Sequence, residues 1–267
     1  MMRDDLFRQG QNALESGEAQ QALEVFWKIE KESGFSTDVG ALVAEALESL
    51  GRVKEAIETL EKVVAADPED LDCRYALGDL LFEQNNFDTA QQVYESIIAD
   101  APDESDAWVS VGLIHFHQNR IDAAADCYEK ALQLSPDSTF ALNSLGDAFF
   151  ARGEMERAQS TFQDVIDLDP EDPQAHYNLA EIHYDNGDLE QAELCCKKAL
   201  ECDPGFSYAY LTLGNLYLDR DDSENALHNF QEFLLHENSP AAEDIRSEVA
   251  AVVDGLKEEQ QGAKRKR

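Results

Sequence analysis

The stretch SDAWVSVGLIHFHQNRIDAAADCYEKALQLSPDS, residues 105–138, decides the fold. Numbered 1–34, its places 4, 7, 8 and 11 are Trp108, Val111, Gly112 and His115. They recur at i, i+3, i+4 and i+7, which is one face of a helix. Places 20, 24 and 27, occupied by Ala124, Tyr128 and Ala131, do the same for a second helix. Between the two lies Asn119 at place 15, a residue type that accepts the left-handed conformation ending a helix. Pro136 at place 32 lacks an amide hydrogen and stops the second helix. The stretch therefore reads as helix, tight turn, helix, tight turn.

The same unit is copied along the chain. Pro68, Pro102, Pro136, Pro170 and Pro204 stand 34 residues apart without a slip. In that register the units are 3–36, 37–70, 71–104, 105–138, 139–172, 173–206 and 207–240. Place 20 is alanine in each of them, from Ala22 to Ala226. Place 8 is Gly10, Ala44, Gly78, Gly112, Gly146, Ala180 and Gly214, always a small side chain. Place 24 is Phe26, Leu60, Tyr94, Tyr128, Phe162, Cys196 and Phe230. Small residues at 8 and 20 let the two helices of a unit approach, and the larger residue at 24 is expected to fill the gap toward the next unit. A fixed period of this kind marks stacked copies of one supersecondary unit that share a core.

Trp108, Val111, Gly112, Ala124, Tyr128, Ala131 and Pro136 together resemble the tetratricopeptide repeat. Leu142, Leu145, Gly146, Phe149, Ala158, Phe162 and Pro170 carry the same resemblance in unit 139–172. The resemblance covers residues 3–240. It implies an all-α chain, a right-handed α-solenoid superhelix of helix–turn–helix repeats, whose concave groove binds peptides or protein surfaces.

After the repeats, Ser239 is placed to cap a helix, with Pro240 at its first position and Glu243 and Asp244 in its first turn. Ala242, Ile245, Val249, Val252, Val253 and Leu256 form an apolar stripe with no partner helix after it. Residues 241–257 are therefore expected to be a capping helix over the last repeat. Residues 258–267, ending Lys264-Arg265-Lys266-Arg267, are expected to be a disordered basic tail.

The formal net charge is −35, from 56 acidic and 21 basic residues. That balance excludes phosphate-led nucleic-acid binding, which needs clustered Lys and Arg. Most of the charge reads as a solvated helical surface, and part of it is available to attract a basic partner. No apolar run approaches the ~18 residues of a membrane span. The amino terminus has no apolar signal segment, and five cysteines without one read as reduced thiols. The expected location is cytoplasmic.

Catalysis needs a constellation, and none stands out. His115, His176 and His183 fall at places 11, 4 and 11, where the repeat packs its helices. No carboxylate or cysteine completes a ligand set with them. Cys195 and Cys196 are adjacent on one helix and point about 100° apart. The chain is expected to be no enzyme and to use no cofactor or metal.

Function is expected in the groove. If places 4, 7, 8 and 11 face the core, places 2, 5, 9 and 12 form the neighbouring stripe, and the resemblance implies that this stripe lines the concave face. Place 12 gives Phe82, Phe116, Phe150 and Tyr184; place 5 gives Tyr75, Val109, Asn143 and Tyr177. Place 9 gives Glu45, Asp79, Leu113, Asp147 and Glu181, and place 6 adds Asn178. Aromatic anchors beside carboxylates suit a basic partner segment with apolar anchors. The carboxylate clamp of some tetratricopeptide co-chaperones is disfavoured, because place 5 holds no lysine and Arg8 and Asn178 at place 6 lack their partners. The expected function is a non-enzymatic scaffold or adaptor for a protein or peptide. The alternatives are a chaperone for exported proteins and a solenoid that self-assembles into homo-oligomers.

Overall fold

A computed structural model describes residues 2–265, with side chains for 3–259. The described residues contain helices and no strand. They fall into two compact bodies, Met1–Ser135 and Pro136–Arg267. The first holds α1 (Met2–Glu15), α2 (Ala19–Ser33), α3 (Thr37–Ser49), α4 (Val53–Ala66), α5 (Leu71–Glu83), α6 (Phe87–Asp100), α7 (Ser105–His117) and α8 (Ile121–Leu134). The second holds α9 (Thr139–Ala151), α10 (Met155–Leu168), α11 (Pro173–Asp185), α12 (Leu189–Cys202), α13 (Ser207–Asp219), α14 (Ser223–His236) and, after a 3-10 turn at Pro240–Ala242, α15 (Glu243–Arg265).

The boundaries follow from local chemistry. The place-15 residue takes positive φ in each turn between paired helices, for example 57° at Asn119 and 76° at Gly187. Its amide and the next one donate back to the last turn, Asn119 N–H to Phe116 C=O at 2.9 Å and Arg120 N–H to His115 C=O at 2.8 Å. That satisfies carbonyls the helix end would leave open. Each second helix from α4 to α12 ends two residues before its proline. The pre-proline residue is driven out of the helical region, as at Ser135 (φ −132°, ψ 82°). The next helix starts at once; Asp70 and Asp172 cap α5 and α11 by accepting from Cys73 N–H and Ala175 N–H.

The core includes the expected face and is wider than it: place 11, for example, is buried at Ala13, Leu47, Leu81 and Phe149. Place 7 is buried from Val43 to Leu213, but places 3 and 10 are buried as well: Ala107, Ala141, Ala175, Ala209 and Ile114, Ala148, Ile182, Leu216. Trp108 at place 4 and His115, His183 and Tyr217 at place 11 are only half-buried. The reason is that an inner first helix packs on two second helices. α7, for instance, lies against both α6 and α8, so its buried arc is wider than one stripe. The place-24 ring also does not simply reach forward: each lies on the place-8 residue of its own repeat.

At the carboxyl end, α15 packs on α14. Val249, Val253 and Leu256 join Ala226, Phe230 and Phe233 in one apolar cluster, and Arg246 Nη1 donates to Leu234 C=O at 3.0 Å. Three expectations are corrected here. Val252 is exposed, since it lies on the solvent side of the stripe. Ser239 makes no side-chain cap; the Glu237 carboxylate instead accepts from Ser239 N–H at 2.9 Å. Residues 258–265 are not a disordered tail but continue the helix, because Lys, Glu and Gln propagate helix well and basic residues suit a helix carboxyl end. Lys266 and Arg267 lie outside the described residues.

Candidate functional site

Consecutive first helices of the second body bring together a small cleft of about 120 Å³, lined by Asp147 and Phe150 of α9, Phe162 of α10, and Tyr177, Asn178 and Glu181 of α11. The residues come from places 5, 6, 9 and 12 of two successive repeats, with the buried place-24 ring as the floor. Asn178 Nδ2 donates to Asp147 Oδ1 at 2.9 Å, and Asn178 Oδ1 accepts from Gln174 Nε2 at 2.7 Å. Glu181 Oε1 accepts from Thr212 Oγ1 of α13 at 2.9 Å. Burial pushes the Asp147 carboxyl up to about 7, and the single Asn178 hydrogen bond opposes it. Burial also raises the Tyr177 phenol, helped by the nearby Glu181 carboxylate. Both polar walls are thus fixed in position by neighbours that belong to other helices.

The other residues on the sequence-derived stripe are distributed differently. Tyr184 is half-buried and donates to Asp219 Oδ2 at 2.8 Å. Asn143 is buried and donates to Asp172 Oδ2 at 3.1 Å, and its Oδ1 has no hydrogen-bond partner among the described residues. Val109 is buried too. These two are therefore packing residues rather than exposed lining, because their helices bury the wider arc described above. In the first body, Asp79 accepts from Tyr94 Oη at 2.5 Å, and Tyr75 lies 6.3 Å from the Tyr94 ring. Phe82 packs edge-on to Phe87 and to His117, at 5.4 and 5.0 Å. Leu113 and Phe116 are half-buried. Glu45 borders a separate depression of about 170 Å³ with Gln11, Leu14, Glu15 and Leu42. Larger depressions near the amino terminus, about 400 and 540 Å³, gather no aromatic side chain.

Sequence reasoning missed one recurring polar role. Place 4 reaches back six residues to the proline carbonyl: Arg74 to Pro68 at 3.2 Å, His176 to Pro170 at 3.0 Å and Tyr210 to Pro204 at 3.2 Å. Trp108 Nε1 does so more weakly toward Pro102, at 3.5 Å. The mixture of Arg, Trp, His and Tyr at one place was the available signal, since these share a long reach and an N–H or O–H donor. The histidines do not gather, and among the described residues no three His, Cys, Asp or Glu side chains are grouped as a metal site. No described helix is long and apolar enough to cross a membrane.

No curated protein matches the sequence significantly. Among solved structures, the chain is similar to a tetratricopeptide repeat protein from Parabacteroides merdae, at 14% identity over 94% of this chain and 98% of that one, with TM-score 0.80. It is similar to the Cut9–Hcn1 hetero-tetramer of the APC/C, at 16% identity over 90% of this chain and 48% of that one, with TM-score 0.68. It is also similar to YrrB, a tetratricopeptide repeat protein with an unusual peptide-binding site, at 20% identity over 68% of this chain and 93% of that one, with TM-score 0.50. At these identities the likeness concerns the fold. Tetratricopeptide repeat models match residues 37–80, 75–139, 143–205 and 195–228. With helix pairs in one 34-residue register throughout, the chain belongs to the tetratricopeptide repeat family, whose members are generally non-catalytic scaffolds that bind protein partners.

Proposed function

We propose that this chain is a non-enzymatic adaptor that holds an extended segment of a partner protein against its first helices. The observation that carries the reading is the cleft of Asp147, Phe150, Tyr177, Asn178 and Glu181, in which successive repeats contribute ring faces and carboxylates to one place. Rings give contact area at low entropic cost, and charges steer encounter and set register. The peptide-binding site of the similarly folded YrrB supports the same use of the fold. The partner segment is apolar at its anchors and basic beside them, matching a chain of net charge −35. Function in the cytoplasm is part of the same proposal.

A displayed library of random peptides, selected on the purified chain, tests the reading. Selected peptides should lose most of their affinity when Phe150→Ala and Tyr177→Ala are combined. They should tolerate Asp126→Lys with Glu129→Lys, which changes exposed carboxylates of the second helix α8. Sensitivity to the α8 pair with indifference to the cleft pair would overturn the assignment.

A further inference from the structure

Two features of the cleft go unused by a merely apolar segment. Asp147 and Glu181 face it from different helices, and neither is paired with a Lys, Arg or His among the described residues. Asp147 Oδ1 is engaged by Asn178, but no hydrogen bond reaches Oδ2 among the described residues. Both carboxylates are half-buried; a partly desolvated carboxylate without a counter-charge is unfavourable, and a cation placed beside it restores the lost stabilisation. The walls fit such a cation. Phe150 and Tyr177 offer rings beside the carboxylates, and ring faces attract ammonium and guanidinium groups. Size fits as well. At about 120 Å³ the cleft is well below the ~300–1,000 Å³ of small-molecule sites, and it suits one long side chain.

We propose that the cleft is a subsite for a single lysine or arginine side chain of the partner segment, its head group between Asp147 and Glu181 and its methylene stem against Phe150 and Tyr177. The proposal rests on the segment-binding reading above and adds to it the side chain that sets the register. Asn178 is a positioning residue: held by Gln174, it fixes Asp147 Oδ1 and leaves Oδ2 for the incoming donor. The aliphatic stem of Lys or Arg covers apolar surface while its head stays polar, so one residue satisfies ring and carboxylate together.

The test uses the full chain and four small probes followed by NMR: the N-acetyl methylamides of lysine, arginine, norleucine and glutamine. The lysine and arginine probes should give saturable shifts at the Asn178 side-chain amide and the Phe150 ring, and norleucine and glutamine should not. In the Asp147→Asn, Glu181→Gln double variant the basic probes should bind roughly tenfold more weakly or not at all, with circular dichroism confirming an unchanged helix content. Equal shifts from norleucine or glutamine, no shift at the cleft from either basic probe, or unchanged binding by the double variant would each overturn the proposal. A chain that captures library peptides yet ignores the basic probes loses this subsite and keeps the adaptor reading. One that takes the basic probes at the cleft but captures no peptide does the reverse.

Discussion

Phe162 lies directly on the bare Cα of Gly146: a Cβ built there would stand 2.4 Å from Phe162 Cε1. The pairing recurs wherever place 8 is glycine. Gly10 faces Phe26, Gly78 faces Tyr94, Gly112 faces Tyr128 and Gly214 faces Phe230, each at 2.4–2.6 Å. Where place 8 is alanine, at Ala44 and Ala180, place 24 is the smaller Leu60 and Cys196. The methyl and the ring thus compete for one volume. Gly146→Ala should destabilise by about 1–3 kcal/mol through overpacking, despite alanine's better helix propensity of about 1 kcal/mol. In a Phe162→Leu background the same change should be neutral or stabilising. A double-mutant cycle in urea checks this; additive effects would mean that the two residues do not share the space.

A second recurring pair ties four of the proline turns to the helix that follows. Arg74 is almost fully buried, yet its guanidinium meets Pro68 C=O at 3.2 Å, Ser96 Oγ at 2.7 Å and Asp100 Oδ2 at 2.9 Å. Because Asp100 is largely exposed, removing Arg74 returns that carboxylate to water rather than stranding a buried charge. Arg74→Ala should therefore cost about 1–3 kcal/mol, the loss of hydrogen bonds and stem packing, and not the 3–5 kcal/mol typical of breaking a buried pair. Trp108→Phe, which removes only a 3.5 Å contact, should lower the urea midpoint far less. Equal losses in the two variants would contradict the geometric ranking.

How much of this was legible depended on whether one residue carried the constraint. Asn85, Asn119 and Gly153 announce their turns because a left-handed backbone excludes most side chains. Pro136 and its copies announce helix ends for an equally local reason. The burial of Val109 and Asn143 was not legible in a single-helix periodicity; Asn143, for instance, is held by Asp172, 29 residues further on. The Asn178–Asp147 bond spans 31 residues, so nothing in the local pattern around either residue declares it. Four of the six residues lining the cleft were nonetheless on the sequence-derived stripe, and a fifth, Asn178, was named beside it at place 6. The sixth, Phe162, was read only as a spacer toward the next repeat; it lies on Gly146 of its own repeat and also lines the cleft with Tyr177, Asn178 and Glu181 of the next. The length of α15 was misjudged because charge was taken for disorder, although Lys, Glu and Gln are also good helix formers.

The proposal that α15 caps the last repeat follows from its contacts. Val249, Val253 and Leu256 are each under 10% exposed, against Phe230 and Phe233 of α14. Fully burying a side chain of this type is worth about 1.5–3 kcal/mol, so three of them contribute on the order of the whole marginal stability of a small domain. A chain ending at residue 239 should melt earlier, and hydrogen exchange should report the loss first in α13 and α14. The milder Val249→Ser with Val253→Ser should shift the same region in the same direction. If both variants melt like the full chain and exchange uniformly, α15 is an appendage and not a cap.

The last prediction concerns Asp147 and pH. Its folded-state value, about 7, lies above the unfolded value near 3.9, so between these limits the folded chain holds a proton that the unfolded chain has released. The contribution of this group to stability is fully present below about pH 4 and is lost as pH rises through about 7. A shift of this size bounds the loss at about 4 kcal/mol. Partial access to water at the cleft mouth makes the realised value smaller. The titratable groups that line the cleft with it are Tyr177 and Glu181 of α11. Burial raises Tyr177, so it does not ionise in this window. Asp147→Asn should therefore match the wild type at or below about pH 4 and exceed it in stability near pH 8, with the difference growing between. A basic probe in the cleft favours the ionised carboxylate, so its affinity should rise from pH 6 to pH 8 in the wild type and stay flatter in Asp147→Asn. The measurements are urea midpoints and probe titrations at several pH values, with direct NMR titration of the Asp147 carboxyl carbon. An Asp147 midpoint below pH 5, or identical pH slopes in wild type and variant, would show that the carboxyl is solvated and that the cleft does not press on it.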